Sequence, residues 1–98
     1  MSGFRLTKRA NKDLDDIDDY LSQEAGDDTA EMVTGRILEA CDRLSKRPGM
    51  GHRREDLTDR DVRFWSVYSY LVIYRERQPL EVLRIWSGRQ NPEDLDLE

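Results

Sequence analysis

The chain has one cysteine, one histidine and three prolines in 98 residues, and each scarcity excludes something. A lone thiol, Cys41, cannot form an internal disulfide and suits a reducing compartment. One histidine and one cysteine do not make a zinc site. Asp15, Asp16, Asp18 and Asp19 fan around a helix rather than converge, so calcium has no ligand set either. No stretch approaches the ~20 apolar residues that cross a bilayer. The N-terminus lacks the apolar core of a signal peptide, so a cytoplasmic protein without membrane contact is expected. A glycine-rich phosphate loop is also missing, because Gly49-Met50-Gly51 follows a helix rather than a strand. No metal and no cofactor is expected. Positive charge is in deficit: 16 Lys and Arg stand against 21 Asp and Glu, a net charge of −5. Non-specific nucleic-acid binders are usually basic, so direct DNA binding by this chain is not expected.

What remains is enough for one core and a charged surface, with 37% apolar and 38% charged residues. Residues 1–98 read as a single domain. Residues 91–98 read as an acidic, frayed tail. There is no internal repeat and no low-complexity segment.

The apolar spacing gives the elements. Phe4-Arg5-Leu6 alternates as a first strand, and Thr7 is placed to cap the next helix. Ala10, Leu14, Ile17 and Leu21 form one helical stripe, with Asp13, Asp15, Asp16, Asp18 and Asp19 crowding the other side. Gly26 stops this helix. Asp28 with Glu31 three residues on predicts a capping box. A second stripe of Ala30, Val33, Ile37, Ala40, Cys41 and Leu44 ends near Lys46-Arg47, before Pro48 and Gly49. Helices joined by two or three residues fold back antiparallel, and both need a sheet to bury their stripes. Residues 48–61 read as a polar loop. Strands are predicted over Val62–Val67, Tyr70–Tyr74 and Leu80–Ser87, with turns at Tyr68-Ser69 and Arg77–Pro79, as an antiparallel meander. Tyr70–Tyr74 is nearly all apolar and is expected at the centre, covered on both faces.

Residues 62–88 hold most of the aromatic side chains together with Arg63, Arg75, Arg77 and Arg84. A sheet that carries cations and tryptophans is suited to gripping something charged, or to being gripped by a partner. Strands 62–67 and 80–87 both read Arg-x-Trp, so the period of two predicts Arg63, Trp65, Arg84 and Trp86 on one face. An arginine in mid-strand is costly if buried unpaired. Either Glu81 or Asp61 pairs with it, or it serves as an anion site. Trp65 and Trp86 either finish the core or form a patch for a partner, since Trp and Arg are enriched in binding hot spots. Arg53 and Arg54 read as a solvated loop or as partner contacts. His52 reads as a solvated histidine in a flexible loop. Cys41, on the buried stripe, reads as inert core.

Taken in order, FRLTKRANKDLDDIDDYL, then LSKRPGMG after the second helix, then VRFWSVYSYLVIYR and LEVLRIWSGRQ resemble the ParE branch of the RelE/ParE superfamily of bacterial toxins. The resemblance covers roughly residues 4–90. It implies an α+β fold of order βααβββ, with a helical hairpin packed on a mainly antiparallel sheet. It implies a type II toxin–antitoxin system, associated with plasmid stabilization, and a cognate antitoxin that wraps and silences the toxin. ParE-branch members are associated with inhibition of DNA gyrase, whereas RelE-branch members cleave messenger RNA on the ribosome.

The two branches ask for different chemistry. Cleavage through a 2′-hydroxyl needs a base, an acid and cations on the phosphate. RelE-like nucleases resemble one another in a Tyr or His just after the last strand. Here Ser87, Gly88, Arg89, Gln90 and Asn91 occupy that place, and no Tyr or His occurs beyond Tyr74. That absence favours a toxin acting by protein contact over an endoribonuclease using Arg63, Arg84 and His52. No catalytic residue is assigned. The partner-binding candidates are Arg53, Arg54, Arg63, Trp65, Arg84, Trp86 and Arg89. The expected partners are DNA gyrase, as target, and a ParD-like ribbon-helix-helix antitoxin. Its amphipathic helix would dock by the helix-in-groove mode, in a heterotetramer.

Overall fold

Thr7 sets the first junction. In the computed structural model, which describes residues 3–88, strand β1 covers Phe4–Leu6 and helix α1 covers Lys8–Ala25. The Thr7 hydroxyl accepts from the Ala10 N–H at 3.1 Å, which is the N-cap bond its position predicts. The same hydroxyl donates to the Leu83 carbonyl at 2.9 Å. The cap therefore also fastens α1 to a strand 76 residues away in sequence. Helix α1 ends at Gly26, whose φ of 94° is a conformation that a β-carbon disfavours.

Helix α2 spans Asp27–Lys46 and begins at once, with Gly26 as its N-cap and no side-chain cap bond. The expected capping box at Asp28 is not formed. A link of one residue leaves no room for it and draws Asp27 and Asp28 into the first turn, where their charge complements the helix dipole. Arg43 and Lys46 lie in the last turn, and a short 3-10 helix comes next at Pro48–Met50.

Strands β2 (Arg63–Val67), β3 (Tyr70–Arg75) and β4 (Leu80–Ser87) complete the chain order βααβββ. The sheet runs β1-β4-β3-β2. Among the described residues only the β1–β4 pairing is parallel, because β1 is brought beside β4 by the intervening helices while the other strands succeed one another through short turns. This is the α+β hairpin-on-sheet architecture that the sequence predicts. No helix among the described residues is long and apolar enough to cross a membrane. The predicted tail, 91–98, lies outside the described residues.

Both faces of the sheet are covered. On one face, Ile17, Val33, Ile37 and Leu44 of the helices pack with Tyr70, Val72, Tyr74, Val82 and Ile85. On the other, Val62, Phe64, Ile73, Leu83 and Trp86 form a second cluster, with Leu57 and Leu71 against it. Strand β3 contributes to both, as its apolar run requires. Cys41 is fully buried in the helix-side core, and this burial pushes its thiol up to about 12. The folded protein is expected to resist thiol alkylation in mildly alkaline buffer, while the denatured chain labels readily. Fast labelling of the folded protein would refute this burial. The linkage has a definite sign, because the folded thiol titrates above its ordinary value of 9.0. Ionisation therefore favours the unfolded chain, and this contribution to stability is lost as pH climbs from about 9 toward 12.

One irregularity decides which side chains share a face. Ile73 pairs with Arg84, yet Tyr74 pairs with Val82. Leu83 is therefore an extra residue in β4, and a bulge of this kind reverses the alternation beyond it. Val82 and Ile85 both face the helices, although they are three residues apart.

Candidate functional site

The bulge separates the residues that the Arg-x-Trp pattern brings together. Arg63 pairs with Tyr74 and Trp65 with Val72, and both of those partners belong to the helix-side core. Arg84 pairs with Ile73 and Trp86 with Leu71, which pack on the opposite side. The common face expected for Arg63, Trp65, Arg84 and Trp86 is therefore not present. Two pairs stand on opposite faces instead.

The helix-face pair is built at the end of β2. Arg63 Nε donates to Glu76, and its Nη1 donates to the Gly51 carbonyl at 2.9 Å. Arg53, paired with Asp61, lines the same polar pocket of about 200 Å³ with Arg63, Arg75 and Glu76. Trp65 is half-buried. Its ring stacks on His52, with centroids 6.4 Å apart and planes 20° from parallel. His52 is not in a free loop, as the sequence pattern suggests. Its N–H donates to the Phe64 carbonyl at 2.9 Å, and its own carbonyl accepts from Phe64 at 2.7 Å. The ring is exposed, but the backbone is tied to the sheet.

Arg54 stands apart on the loop. It holds Asp56 through two bonds of 3.0 Å each. That fork keeps the Asp56 carboxyl below the usual carboxylate range and raises the Arg54 guanidinium. Both groups are exposed, so the pair does little for stability.

The far-face pair is internal. Arg84 and Trp86 are 8% and 5% exposed. The guanidinium carbon of Arg84 lies 5.2 Å from the Trp86 ring centroid, a cation–π distance. Glu81 and Asp61, the partners that the sequence suggests, pair elsewhere, Glu81 with Arg5, Arg75 and Arg77 and Asp61 with Arg53. Arg84 reaches Asp13 of α1 through bonds of 2.7 and 3.0 Å. Trp86 is core rather than an open patch, and its Nε1 is buried without a hydrogen-bond partner among the described residues. Arg89 lies outside the described residues.

Sequence reasoning misses Asp13. It reads as one of five aspartates on a solvated face, yet its carboxylate also accepts the Ile85 N–H at 3.0 Å. The missed signal is its place three residues after Ala10 and four before Ile17, at the margin of the buried stripe. The cluster around Glu81 is missed as well, where that acid contacts Arg5, Arg75 and Arg77. Chemically, these side chains offer guanidiniums, an indole and an imidazole ring to another surface. Cys41, buried and protonated, offers no nucleophile, and no group of His, Cys, Asp and Glu among the described residues is arranged to hold a metal.

The model of the family described as the ParE toxin of the type II toxin–antitoxin system parDE matches residues 4–92. Toxin ParE1 of Caulobacter vibrioides is 32% identical over 91 residues, covering 93% of this chain and 94% of that protein. In three dimensions the chain resembles the structure titled "Chromosomal ParDE TA system from P. aeruginosa", with a TM-score of 0.75 at 23% identity over 89% of this chain and 96% of the other. That likeness shows the fold. The family match over residues 4–92 and the ParE1 relative show that this chain belongs to the ParE toxins of type II toxin–antitoxin systems.

Proposed function

We propose that this toxin acts by protein–protein contact on DNA gyrase, and that a ParD-like ribbon-helix-helix antitoxin silences it in a heterotetramer. The family match over residues 4–92 carries the reading. Two features of the chain support contact rather than RNA cleavage. No Tyr or His occurs after Tyr74 in the sequence, so an acid and base after the last strand are wanting. The candidate phosphate clamps, Arg63 and Arg84, stand on opposite faces, where they cannot close on one phosphate. Their strand partners assign them there.

The candidate contact groups are Arg53, Arg54, Arg63 and Trp65, whose side chains reach solvent. Arg84 and Trp86 support the sheet from within, and Arg89 extends the candidate set beyond the described residues. The test is a supercoiling assay with purified toxin and gyrase. Excess toxin is expected to inhibit supercoiling and to raise gyrase-linked DNA breaks, and antitoxin is expected to reverse both. If gyrase is untouched while messages in intoxicated cells are cut at codon positions, the target is the ribosome instead.

A further inference from the structure

Arg5, Glu81 and Arg75 occupy one row of the sheet: Arg5 pairs with Glu81 across β1–β4, and Glu81 with Arg75 across β4–β3. Their sequence neighbours Phe4, Leu6, Leu80, Val82 and Tyr74 pack on the helix side. Alternation therefore turns all three charged side chains to the opposite face. Arg77, from the β3–β4 connection, joins them. The Glu81 carboxylate contacts Arg5 through Oε2. Through Oε1 it lies 3.5 Å from Arg75 and 3.9 Å from Arg77. Among the described residues these three guanidiniums share that single acid. The acid is sunk and the cations stand up. The Glu81 side chain is 12% exposed, whereas those of Arg5 and Arg77 are 57% and 58% exposed. Arg75 also lines the pocket that holds Arg53 and Arg63, but there Asp61 and Glu76 pair with those two arginines, so the excess of positive charge is confined to the row.

We propose that this row is a docking site for two carboxylates from an acidic segment of the antitoxin. The inference deepens the antitoxin reading and rests on it. Three guanidiniums against one carboxylate leave an excess of two positive charges, which two acidic side chains neutralise. The planar forks of Arg5 and Arg77 suit carboxylates. Glu81 beneath them holds the forks in place before binding, which lowers the ordering cost. A short acidic segment fits this site better than a polynucleotide. Nucleic acid brings a charge about every 1.7 Å and would meet the field of a chain carrying a net −5, with only one small strip in its favour.

The experiment measures affinity for the cognate ParD-like antitoxin, by calorimetry at low and at high salt. The wild-type protein is compared with the double variant Arg5→Gln/Arg77→Gln. Both residues are exposed, so the variant is expected to keep its circular dichroism. Its melting midpoint is expected to fall modestly, because Glu81 keeps only Arg75, and both proteins are titrated well below their midpoints. The expected result is a loss of about fivefold to tenfold in affinity at low salt, and a flatter salt dependence. Unchanged affinity and unchanged salt dependence in the double variant overturn the row while leaving the antitoxin reading intact. A wild-type protein that binds no antitoxin overturns both. Displacement of the antitoxin by single-stranded oligothymidylate overturns the carboxylate assignment, because the row would then be a phosphate site.

Discussion

Asp13→Ala is expected to cost about 3 kcal/mol of folding stability, the largest loss from any single change on the exposed side of α1. The reason is the edge of β4. Strand β1 covers that edge only alongside Leu80, Glu81 and Val82. Beyond it the Thr7 N–H donates to the Val82 carbonyl at 3.0 Å, and the Thr7 hydroxyl takes the Leu83 carbonyl. Asp13 then takes the Ile85 N–H. One carboxylate thus ends the open edge of a central strand and also grips Arg84 through a two-bonded fork. The side chains of Arg84 and Asp13 are 9% and 15% exposed, so removing the acid leaves a guanidinium nearly out of water with its main counter-charge gone. Truncating one partner of a buried pair is strongly destabilising for that reason. A fall of roughly 15 °C in melting midpoint is expected for a domain of this size. Asp13→Asn keeps an acceptor for Ile85 and is expected to lose less, about 1–2 kcal/mol. The control is Asp16→Ala, whose exposed bond to Lys12 at 3.2 Å contributes less than about 0.5 kcal/mol. Thermal or urea unfolding of the three variants decides. Equal losses for Asp13→Ala and Asp16→Ala would show that the edge does not need its carboxylate.

The same neighbourhood shows what a sequence discloses. The helices were legible because local chemistry makes them: Thr7 caps, Gly26 stops, and the stripes point inward. The limits of β4 were legible because a turn and a glycine bound the run. The facing of Arg84 was not. It depends on one extra residue at Leu83, and a bulge leaves no mark in a strand that is apolar on both faces, LEVLRIW. The partner of Arg84 was hidden for a related reason, since Asp13 lies 71 positions away and looks like its four neighbouring aspartates. The Arg5–Glu81 pairing joins residues 76 apart through a parallel contact, which no short-range pattern encodes. Yet one sign was available: Arg5 between Phe4 and Leu6, and Glu81 between Leu80 and Val82, are single charges in otherwise apolar strands. Such positions point away from the main core and need an opposite charge, and here each supplies the other's.

Gly51→Ala is expected to destabilise the protein by about 2–3 kcal/mol, although its backbone is ordinary, with φ of −71°. The obstacle is space. A β-carbon at residue 51 would lie 2.3 Å from the Tyr74 hydroxyl oxygen, 2.7 Å from its Cε1 and 2.8 Å from its Cζ. Tyr74 cannot swing aside, because its side chain is fully buried in the helix-side core and its hydroxyl is held at both ends. It donates to the Pro48 carbonyl and accepts the Gly51 N–H at 2.9 Å. Burial raises the phenol above its ordinary range, with the Gly51 N–H pulling the other way, so the hydroxyl stays a donor throughout neutral pH. This contact ties the segment after α2 to the central strand. The segment also carries the Gly51 carbonyl that positions Arg63 and the His52 bridge to Phe64. Tyr74→Phe removes the hydroxyl and leaves the Pro48 carbonyl and Gly51 N–H without it, at a cost of about 1–2 kcal/mol. The two changes together are expected to cost less than their sum. Phenylalanine removes the 2.3 Å collision, yet the ring carbons at 2.7 and 2.8 Å remain, so rescue is partial. Strict additivity of the unfolding free energies in this cycle would show that Gly51 and Tyr74 do not press on one another, and that the glycine is there for some other reason.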